Sequence, residues 1–351
     1  MALTVTASRQ ASRSASSVSK PGRWRRCASR HRSGVSAARS STATATTGTA
    51  EAPTGLGRFA PSPTGDLHLG SLVAAVGSYL YARHEGDRWS LRIEDLDRTR
   101  EVPGATDRIL HTLDAFGFEW DGSVEFQSRR SSFYAAALET LSAAGRIYPC
   151  SCSRSELSLL PRTGNGETLY PGSCRRGLRD PTRATALRFR TDWHPEPICF
   201  EDELQGRLCQ RVAHEVGDFV VRRRDHFFAY QLAVVVDDAD QGVTQVVRGF
   251  DLLDNTPRQI LLQRALGLPQ PRYAHLPLVV EAEGQKLSKS RRAVPVGATE
   301  ASSWLVTALE LLRQTPPAAL RRAAPRTIWA WARENWHRER LVGVGQVVAP
   351  G

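Results

Sequence analysis

Residues 57–71 read GRFAPSPTGDLHLGS, and no other segment constrains the architecture of the chain as strongly. A short apolar run leads into a turn rich in proline and glycine, and a helical period follows from about Ser71 to His84. This order predicts a strand, a loop and a helix N-terminus. Such a junction favours anions because free backbone N–H groups and the positive end of the helix dipole point into it, and His68 adds a side-chain donor.

A second informative segment lies far downstream, where residues 286–290 read KLSKS. The chain has only three lysines, Lys20, Lys286 and Lys289, among 47 basic residues of the Lys and Arg types. Two of the three therefore fall in this short window. Arginine is a bulky planar fork and lysine a compact charge on a flexible stem, so the segment predicts a site that requires the compact charge.

Together these segments resemble the two signature motifs of class I aminoacyl-tRNA synthetases of the glutamyl type, with Leu69 and Leu287 in place of the familiar isoleucine and methionine. The segments RIED at 92–95 and VVRGFDLL at 246–253 match the same family. The resemblance implies an α/β fold with a Rossmann-type doubly wound parallel sheet. It also implies activation of glutamate by ATP, with a magnesium ion on the nucleotide.

The family resemblance further implies roles for individual residues. The glutamate pocket is expected to contain Arg58, Phe59, Ala60, Pro61, Ser62, Glu94, Tyr230 and Arg248, and the ATP site His68, Gly70, Lys286, Ser288 and Lys289. Glu94 is expected to hold the α-amino group of the substrate, while His68 and Lys289 act on the phosphates as catalytic groups. Two arginines would supply the cationic fork that the glutamate side chain needs.

The hydrophobic periodicity supports an alternation of strands and helices, which is typical of an α/β sheet. The segment Tyr230–Asp240 is rich in valine, but its apolar spacing is helical and Gly242 is placed to end a helix, so we predict a helix there. The other predicted strands are 89–95, 186–190, 218–221 and 243–247, and the other predicted helices are 105–116, 131–144, 302–312 and 327–338.

Three cysteines, Cys150, Cys152 and Cys174, lie within a short stretch of a chain that has six. This clustering predicts one structural zinc ion with no catalytic role. By ligand chemistry alone, the fourth ligand is open among His194, Cys199 and Cys209. The segment resembles the zinc-binding insertion of glutamyl-queuosine tRNA(Asp) synthetases, in which a tyrosine four residues before the last cysteine is the fourth ligand. That resemblance favours Tyr170, with Cys199 as the alternative.

The positive charge of the chain is concentrated near its N-terminus. Residues 1–50 contain eight Arg, one Lys and no acidic residue, and so carry +9 of the net charge of +11. We expect residues 1–54 to be a disordered extension, either a transit peptide or a product of a misassigned start. The rest is divided into two halves of a catalytic domain at 55–147 and 216–295, a zinc-binding insertion at 148–215 and C-terminal helices at 296–351.

The remaining expectations concern partners. Residues 51–351 are nearly neutral, so their net charge does not indicate RNA binding. No apolar run is long enough to span a membrane. The resemblance implies ATP, L-glutamate and queuosine-containing tRNA(Asp) as substrates. Because the sequence ends soon after the second signature, we expect no anticodon-binding region of the kind that glutamyl synthetases carry there. We expect a cytoplasmic monomer, or an organellar protein if the extension is a transit peptide. A truncated glutamyl-tRNA synthetase and an inactive RNA-binding paralogue are the alternatives.

Overall fold

The computed structural model describes residues 55–163, 166–281 and 295–350. The strands are β1 (Leu56–Phe59), β2 (Arg88–Ile93), β3 (Glu125–Phe126), β4 (Ile147–Cys150), β5 (Ala186–Phe189), β6 (Ile198–Asp202), β7 (Gly206–Gln210), β8 (Phe219–Arg222), β9 (Gln245–Gly249), β10 (Arg272–Leu276), β11 (Leu278–Val280) and β12 (Gln346–Val348). The α-helices are α1 (Leu69–His84), α2 (Ala105–Ala115), α3 (Ser131–Ala143), α4 (Arg154–Ser158), α5 (Val212–Glu215), α6 (Tyr230–Asp240), α7 (Thr256–Leu266), α8 (Ala301–Leu311) and α9 (Pro325–Glu334).

The central layer consists of parallel strands. In one group β2 pairs with β1 and β3, and in the other β10 pairs with β9 and β6, while β7 adds an antiparallel edge. The two groups adjoin at β1 and β9, where the backbone N–H of Thr244 donates to the carbonyl oxygen of Leu56 at 3.0 Å. The sheet therefore continues from β3 to β7 through β1 and β9.

Alternate residues of these strands face two different hydrophobic cores. Val247 packs in the core that contains α1, α8 and α9, whereas the preceding residue, Val246, packs in the core that contains residues of α3, α6 and α7. Because successive side chains of a strand point to opposite faces, helices must cover both faces of the sheet. The predicted α/β fold with a parallel sheet is confirmed.

The valine-rich segment is a helix with the predicted bounds, and Gly242 ends it with a φ of 71°. The following strand begins later than we predicted, because the N–H of Val243 is still bonded to the carbonyl of Asp238 at 2.8 Å in the helix-ending turn. At the other end of the chain, α9 ends at Glu334 and not at the predicted Arg338, and residues 338–341 form a separate 3₁₀ turn.

Strands β4, β5 and β8 form a separate antiparallel sheet, which spans the cysteine-containing segment and ends at Arg222. The hairpin of β6 and β7 lies within 148–215 in sequence but is bonded to β10 of the main sheet. The C-terminal segment returns to the core, since β12 pairs with β11. Among the helices of the described residues, none is both long and apolar enough to cross a membrane.

Candidate active site

A cavity of about 710 Å³ opens at the carboxyl ends of the central strands. Its walls include Phe59 at the end of β1, Glu94 just after β2 and Arg248 near the end of β9. Ligands bind at this edge in open α/β sheets because loops and helix N-termini converge there. His68 and Gly70 line this cavity. So do all the residues assigned to glutamate by resemblance, namely Arg58, Phe59, Ala60, Pro61, Ser62, Glu94, Tyr230 and Arg248.

The loop after β1 is fastened to the ends of its neighbours. The backbone N–H of Glu94 donates to the carbonyl of Pro61, and that of Val102 donates to the carbonyl of Pro63, both at 2.9 Å. Because proline fixes φ, this loop loses little backbone entropy on folding. The loop therefore holds Glu94 in a defined position against the cavity wall.

Arg58 is a buried cation on the cavity wall that is already paired. Its Nε lies 3.2 Å from the Oδ1 atom of Asp238, and the same oxygen accepts from the NH2 group of Arg92 at 2.7 Å. Burial by itself would raise the pKa of Asp238, but the two guanidinium groups hold it below its usual value. Asp238 is thus ionised and neutralises part of the charge that Arg58 presents to the cavity.

Glu94 carries a carboxylate oxygen with no hydrogen-bonding partner. Its Oε1 atom is buried and makes no hydrogen bond to any of the described residues, although the NH2 group of Arg92 lies 3.5 Å away. Burial raises the pKa of Glu94 to about 7, an effect that the charges of Arg92 and Arg58 offset only in part. An oxygen left in this state is suited to a cationic donor from a ligand.

Arg248 is the second buried cation of the cavity, whose lining also includes the exposed Arg100, and the partners of Arg248 are neutral. Its NH2 group donates to Thr256 Oγ1 at 2.8 Å and its NH1 group approaches the hydroxyl of Tyr230 at 3.5 Å. Its Nε donates to His275 at 3.0 Å. No carboxylate of the described residues forms an ion pair with Arg248, so its charge is offered to a ligand more fully than that of Arg58. Burial raises the pKa of Tyr230, so its hydroxyl keeps its proton.

His68 lies at the junction of the loop and α1. Its Nδ1 atom accepts from the backbone N–H of Ser71 at 3.3 Å, so the side chain caps the helix, which begins at Leu69 and not at the predicted Ser71. A β-carbon at Gly70 would lie 3.1 Å from the His68 ring, so a larger residue there would require the ring to shift. The expected ATP residues Lys286, Ser288 and Lys289 lie outside the described residues.

The predicted metal ligands form a buried cluster in the antiparallel sheet. The sulfurs of Cys150, Cys152 and Cys174 lie within 4.8 Å of one another, and the hydroxyl of Tyr170 lies 3.3 Å from the first two. Three thiolates and a phenolate at tetrahedral zinc would be separated by about 3.8 Å, so this donor set fits the ion. Arg188 packs 3.9 Å above the Tyr170 ring and donates from Nε to the Cys150 sulfur.

The alternative fourth ligand, Cys199, is not available to this cluster. It lies on β6 directly opposite Cys209 on β7, and the two sulfurs form a disulfide. Our prediction of metal binding over disulfide formation therefore does not extend to these two cysteines, because the hairpin brings them face to face. His194 lies on a surface loop, where it contacts Glu196 and Arg264.

Several residues of the site were missed at the sequence level. Asp238 accepts from Arg58 and from Arg92. His275 accepts from Arg248 and is bonded in turn to Asp202. A usable signal was present for Asp238, because two adjacent acids in an apolar helix require cationic partners if they are buried. No comparable signal marked His275, since its contacts come from strands that are distant in sequence.

Comparison with known proteins assigns the chain to a family of enzymes. Residues 56–316 match the family described as tRNA synthetases class I (E and Q), catalytic domain, and the chain belongs to that family. It is 56% identical to glutamyl-Q tRNA(Asp) synthetase of Dechloromonas aromatica, over 80% of this chain and 93% of that protein. It is 54% identical to the protein of the same name from Thiobacillus denitrificans, over 82% of this chain and 94% of that protein. More narrowly, then, the chain belongs with the glutamyl-Q tRNA(Asp) synthetases and is a class I synthetase-like ligase.

Solved structures support the fold. The glutamate tRNA ligase of Elizabethkingia meningosepticum, crystallised with its amino acid, aligns with a TM-score of 0.68 at 22% identity, over 84% of this chain and 67% of that one. The glutamate-tRNA synthetase of Elizabethkingia anophelis aligns with a TM-score of 0.67 at 23% identity, over 83% of this chain and 67% of that one. The layer arrangement is therefore that of a class I synthetase.

Proposed function

We propose that the protein activates glutamate with ATP and transfers it to the queuosine base of tRNA(Asp). The name that the most similar relatives share, together with the charges of the cavity, supports this activity. The observation that carries the glutamate assignment is the presence of two oppositely charged groups in one cavity. Glu94 offers a buried oxygen without a hydrogen-bonding partner, and Arg248 offers a guanidinium whose partners are neutral.

These two groups match an amino acid with a second carboxylate. An ammonium group donates to the Glu94 oxygen, and the side-chain carboxylate accepts from Arg248, with Arg58 nearby on the same wall. Glutamine would leave the Arg248 charge without a counterion in a desolvated site, which is costly.

In the first step, an oxygen of the glutamate α-carboxylate attacks the α-phosphorus of ATP, and the bond to the leaving pyrophosphate breaks. The chain contributes mainly position and charge. His68 at the start of α1 lies where phosphates meet a helix N-terminus, and from the sequence we assign Lys289 to the departing pyrophosphate. The magnesium ion that accompanies ATP supplies further charge neutralisation.

In the second step, a hydroxyl of the queuosine cis-diol attacks the activated carbonyl, and AMP leaves. The product is a base-labile ester on the anticodon wobble nucleoside. The assignment of this acceptor derives from the relatives' names and from the cysteine segment. We further propose that Cys150, Cys152, Tyr170 and Cys174 hold one structural zinc ion, and that the protein acts in the cytoplasm, as expected for a chain whose named relatives are bacterial.

The test is glutamate-dependent ATP–pyrophosphate exchange without RNA, followed by transfer of labelled glutamate to tRNA(Asp) with and without queuosine. Exchange in the absence of RNA and labelling only of queuosine-containing tRNA would support the proposal. Labelling of the 3′ end of tRNA(Glu) would instead identify a conventional charging enzyme, and no exchange under any condition would identify an inactive paralogue.

A further inference from the structure

Arg248 is held from behind by two buried residues that lie outside the cavity wall. His275 on β10 is the register partner of Arg248 on β9, and its Nε2 atom lies 3.0 Å from the Nε of Arg248. On its other side, the Nδ1 atom of His275 lies 2.5 Å from Oδ2 of Asp202, the last residue of β6. Asp202 and His275 have almost no exposed surface.

The direction of each hydrogen bond in this chain is determined by chemistry. The Nε of an arginine only donates, so Nε2 of His275 must accept and carry no proton. The single imidazole proton then sits on Nδ1 and is donated to Asp202. The other oxygen of Asp202 is fixed as an acceptor by the backbone N–H groups of Leu204 and Gln205, at 3.0 and 2.9 Å. Only one arrangement of protons satisfies all of these groups.

We propose that Asp202 and His275 are positioning residues that set the orientation of the Arg248 guanidinium for the substrate carboxylate. This inference rests on the proposed function. With Nε held by His275, and with NH2 held by Thr256 and the carbonyl of Leu252, the NH1 edge is the part of Arg248 that retains a donor for a ligand. Without His275 the Nε contact is lost, and the guanidinium can tilt about the remaining contacts of its NH2 group and so displace the NH1 edge.

The ionisation states agree with this geometry. Burial lowers the pKa of His275, which keeps the ring neutral and Nε2 able to accept. Burial by itself would raise the pKa of Asp202, but the hydrogen bond from His275 and the backbone N–H groups of Gln205 and Leu204 lower it below its usual value. A neutral histidine between a carboxylate and a guanidinium is thereby maintained.

Two substitutions of His275 separate its two contacts. In His275→Gln the amide oxygen takes the place of Nε2 and still accepts from Arg248, whereas in His275→Asn the shorter amide reaches only Asp202. Asp202→Asn perturbs the other contact of His275. Its amide N–H₂ must face the ring and donate to Nδ1, so the ring proton moves to Nε2. There the Nε2–H and the Nε–H of Arg248 are two donors that face each other. Glu201→Gln, at the exposed neighbouring position on β6, is the matched control.

The expected effect is on glutamate binding. Loss of one buried hydrogen bond to a charged group corresponds to about a tenfold or larger increase in KM for glutamate, expected for His275→Asn and Asp202→Asn. His275→Gln should remain within about threefold of wild type because its acceptor is retained. The exchange kcat and the KM for ATP should change little, as for loss of uniform binding. Equal glutamate KM values in all variants, with only the melting temperature lowered, would show a purely structural role.

A spectroscopic readout tests the arrangement without any activity. In the protein with ¹⁵N-labelled histidine, the His275 signals, assigned by their absence in His275→Asn, should report a proton on Nδ1 in the wild type and on Nε2 in Asp202→Asn. A wild-type ring protonated on Nε2, or on both nitrogens, would overturn the inference. A wild type with the Nδ1 proton but without glutamate-dependent exchange would contradict the proposed function alone.

Discussion

Glu94→Gln should make the unliganded protein more stable while weakening its binding of glutamate. Burial raises the pKa of Glu94 to about 7, so at neutral and alkaline pH the fold carries an ionised carboxylate that it accommodates poorly. An acid whose pKa is raised by folding stabilises the protein fully below its unfolded-state pKa, and that contribution is lost as pH rises through the folded-state value. The cost is therefore complete above about pH 8 and absent near pH 4.

The size of the effect follows from the shift. The pKa rises from 4.5 to about 7, and one pKa unit corresponds to about 1.4 kcal/mol, so ionised Glu94 costs about 3 to 4 kcal/mol. Glutamine has nearly the same shape and cannot ionise. We expect Glu94→Gln to raise the free energy of unfolding by up to this amount at pH 8, and to leave it near the wild-type value near pH 4.

Glutamate binding should change in the opposite direction. In the proposed binding mode the carboxylate accepts a charge-assisted hydrogen bond from the substrate ammonium group, worth about 1.5–3 kcal/mol, so the KM for glutamate should rise about 10- to 100-fold in the variant at pH 8. In the wild type this KM should also rise as pH falls below about 7, because Glu94 becomes protonated, and in the variant that pH dependence should disappear.

Urea unfolding at pH 8 and near pH 4 measures the free energy of unfolding, and exchange kinetics between these pH values measure the KM for glutamate. Glu139→Gln, on the exposed face of α3, is the control and should change neither quantity. A Glu94→Gln protein that is less stable than wild type at pH 8, or that binds glutamate with an unchanged KM, would refute the reasoning from the buried oxygen without a hydrogen-bonding partner.

Three further outcomes are expected. Cys174→Ser should lower the zinc content below one ion per chain by metal analysis, and full occupancy would refute the ligand set. Lys289→Ala should keep the circular dichroism spectrum and melting temperature of the wild type but lose most exchange activity; a normal exchange rate would remove the role assigned to it. Asp237→Asn should lower the free energy of unfolding by about 1–3 kcal/mol, because an amide N–H₂ would replace one of the two oxygens that accept from Arg130, Gln127 and Tyr134, while Arg130 keeps its ion pair with Asp240; a change below 1 kcal/mol in urea unfolding would contradict this.

Sequence reasoning succeeded where the signal is local. The strand, loop and helix around residues 57–71 and the valine-rich α6 were predictable, because periodicity and turn residues act over short distances. It failed for contacts between distant segments. The disulfide of Cys199 with Cys209 depends on the register of a hairpin, and the link from Asp202 through His275 depends on the order of strands in the sheet. Neither relation is encoded in the spacing of residues along the chain.

The sequence does not distinguish the two buried arginines of the cavity, Arg58 and Arg248, but their environments give them different roles. Arg58 shares Asp238 with the fully buried Arg92, so a negative charge already lies against it. Arg248 is surrounded by neutral acceptors and, among the described residues, has no carboxylate partner. In a desolvated site the cation without a counterion attracts an anionic ligand most strongly. The substrate side-chain carboxylate should therefore be bound chiefly by Arg248, while Arg58 and Asp238 fix the wall against which the ligand packs.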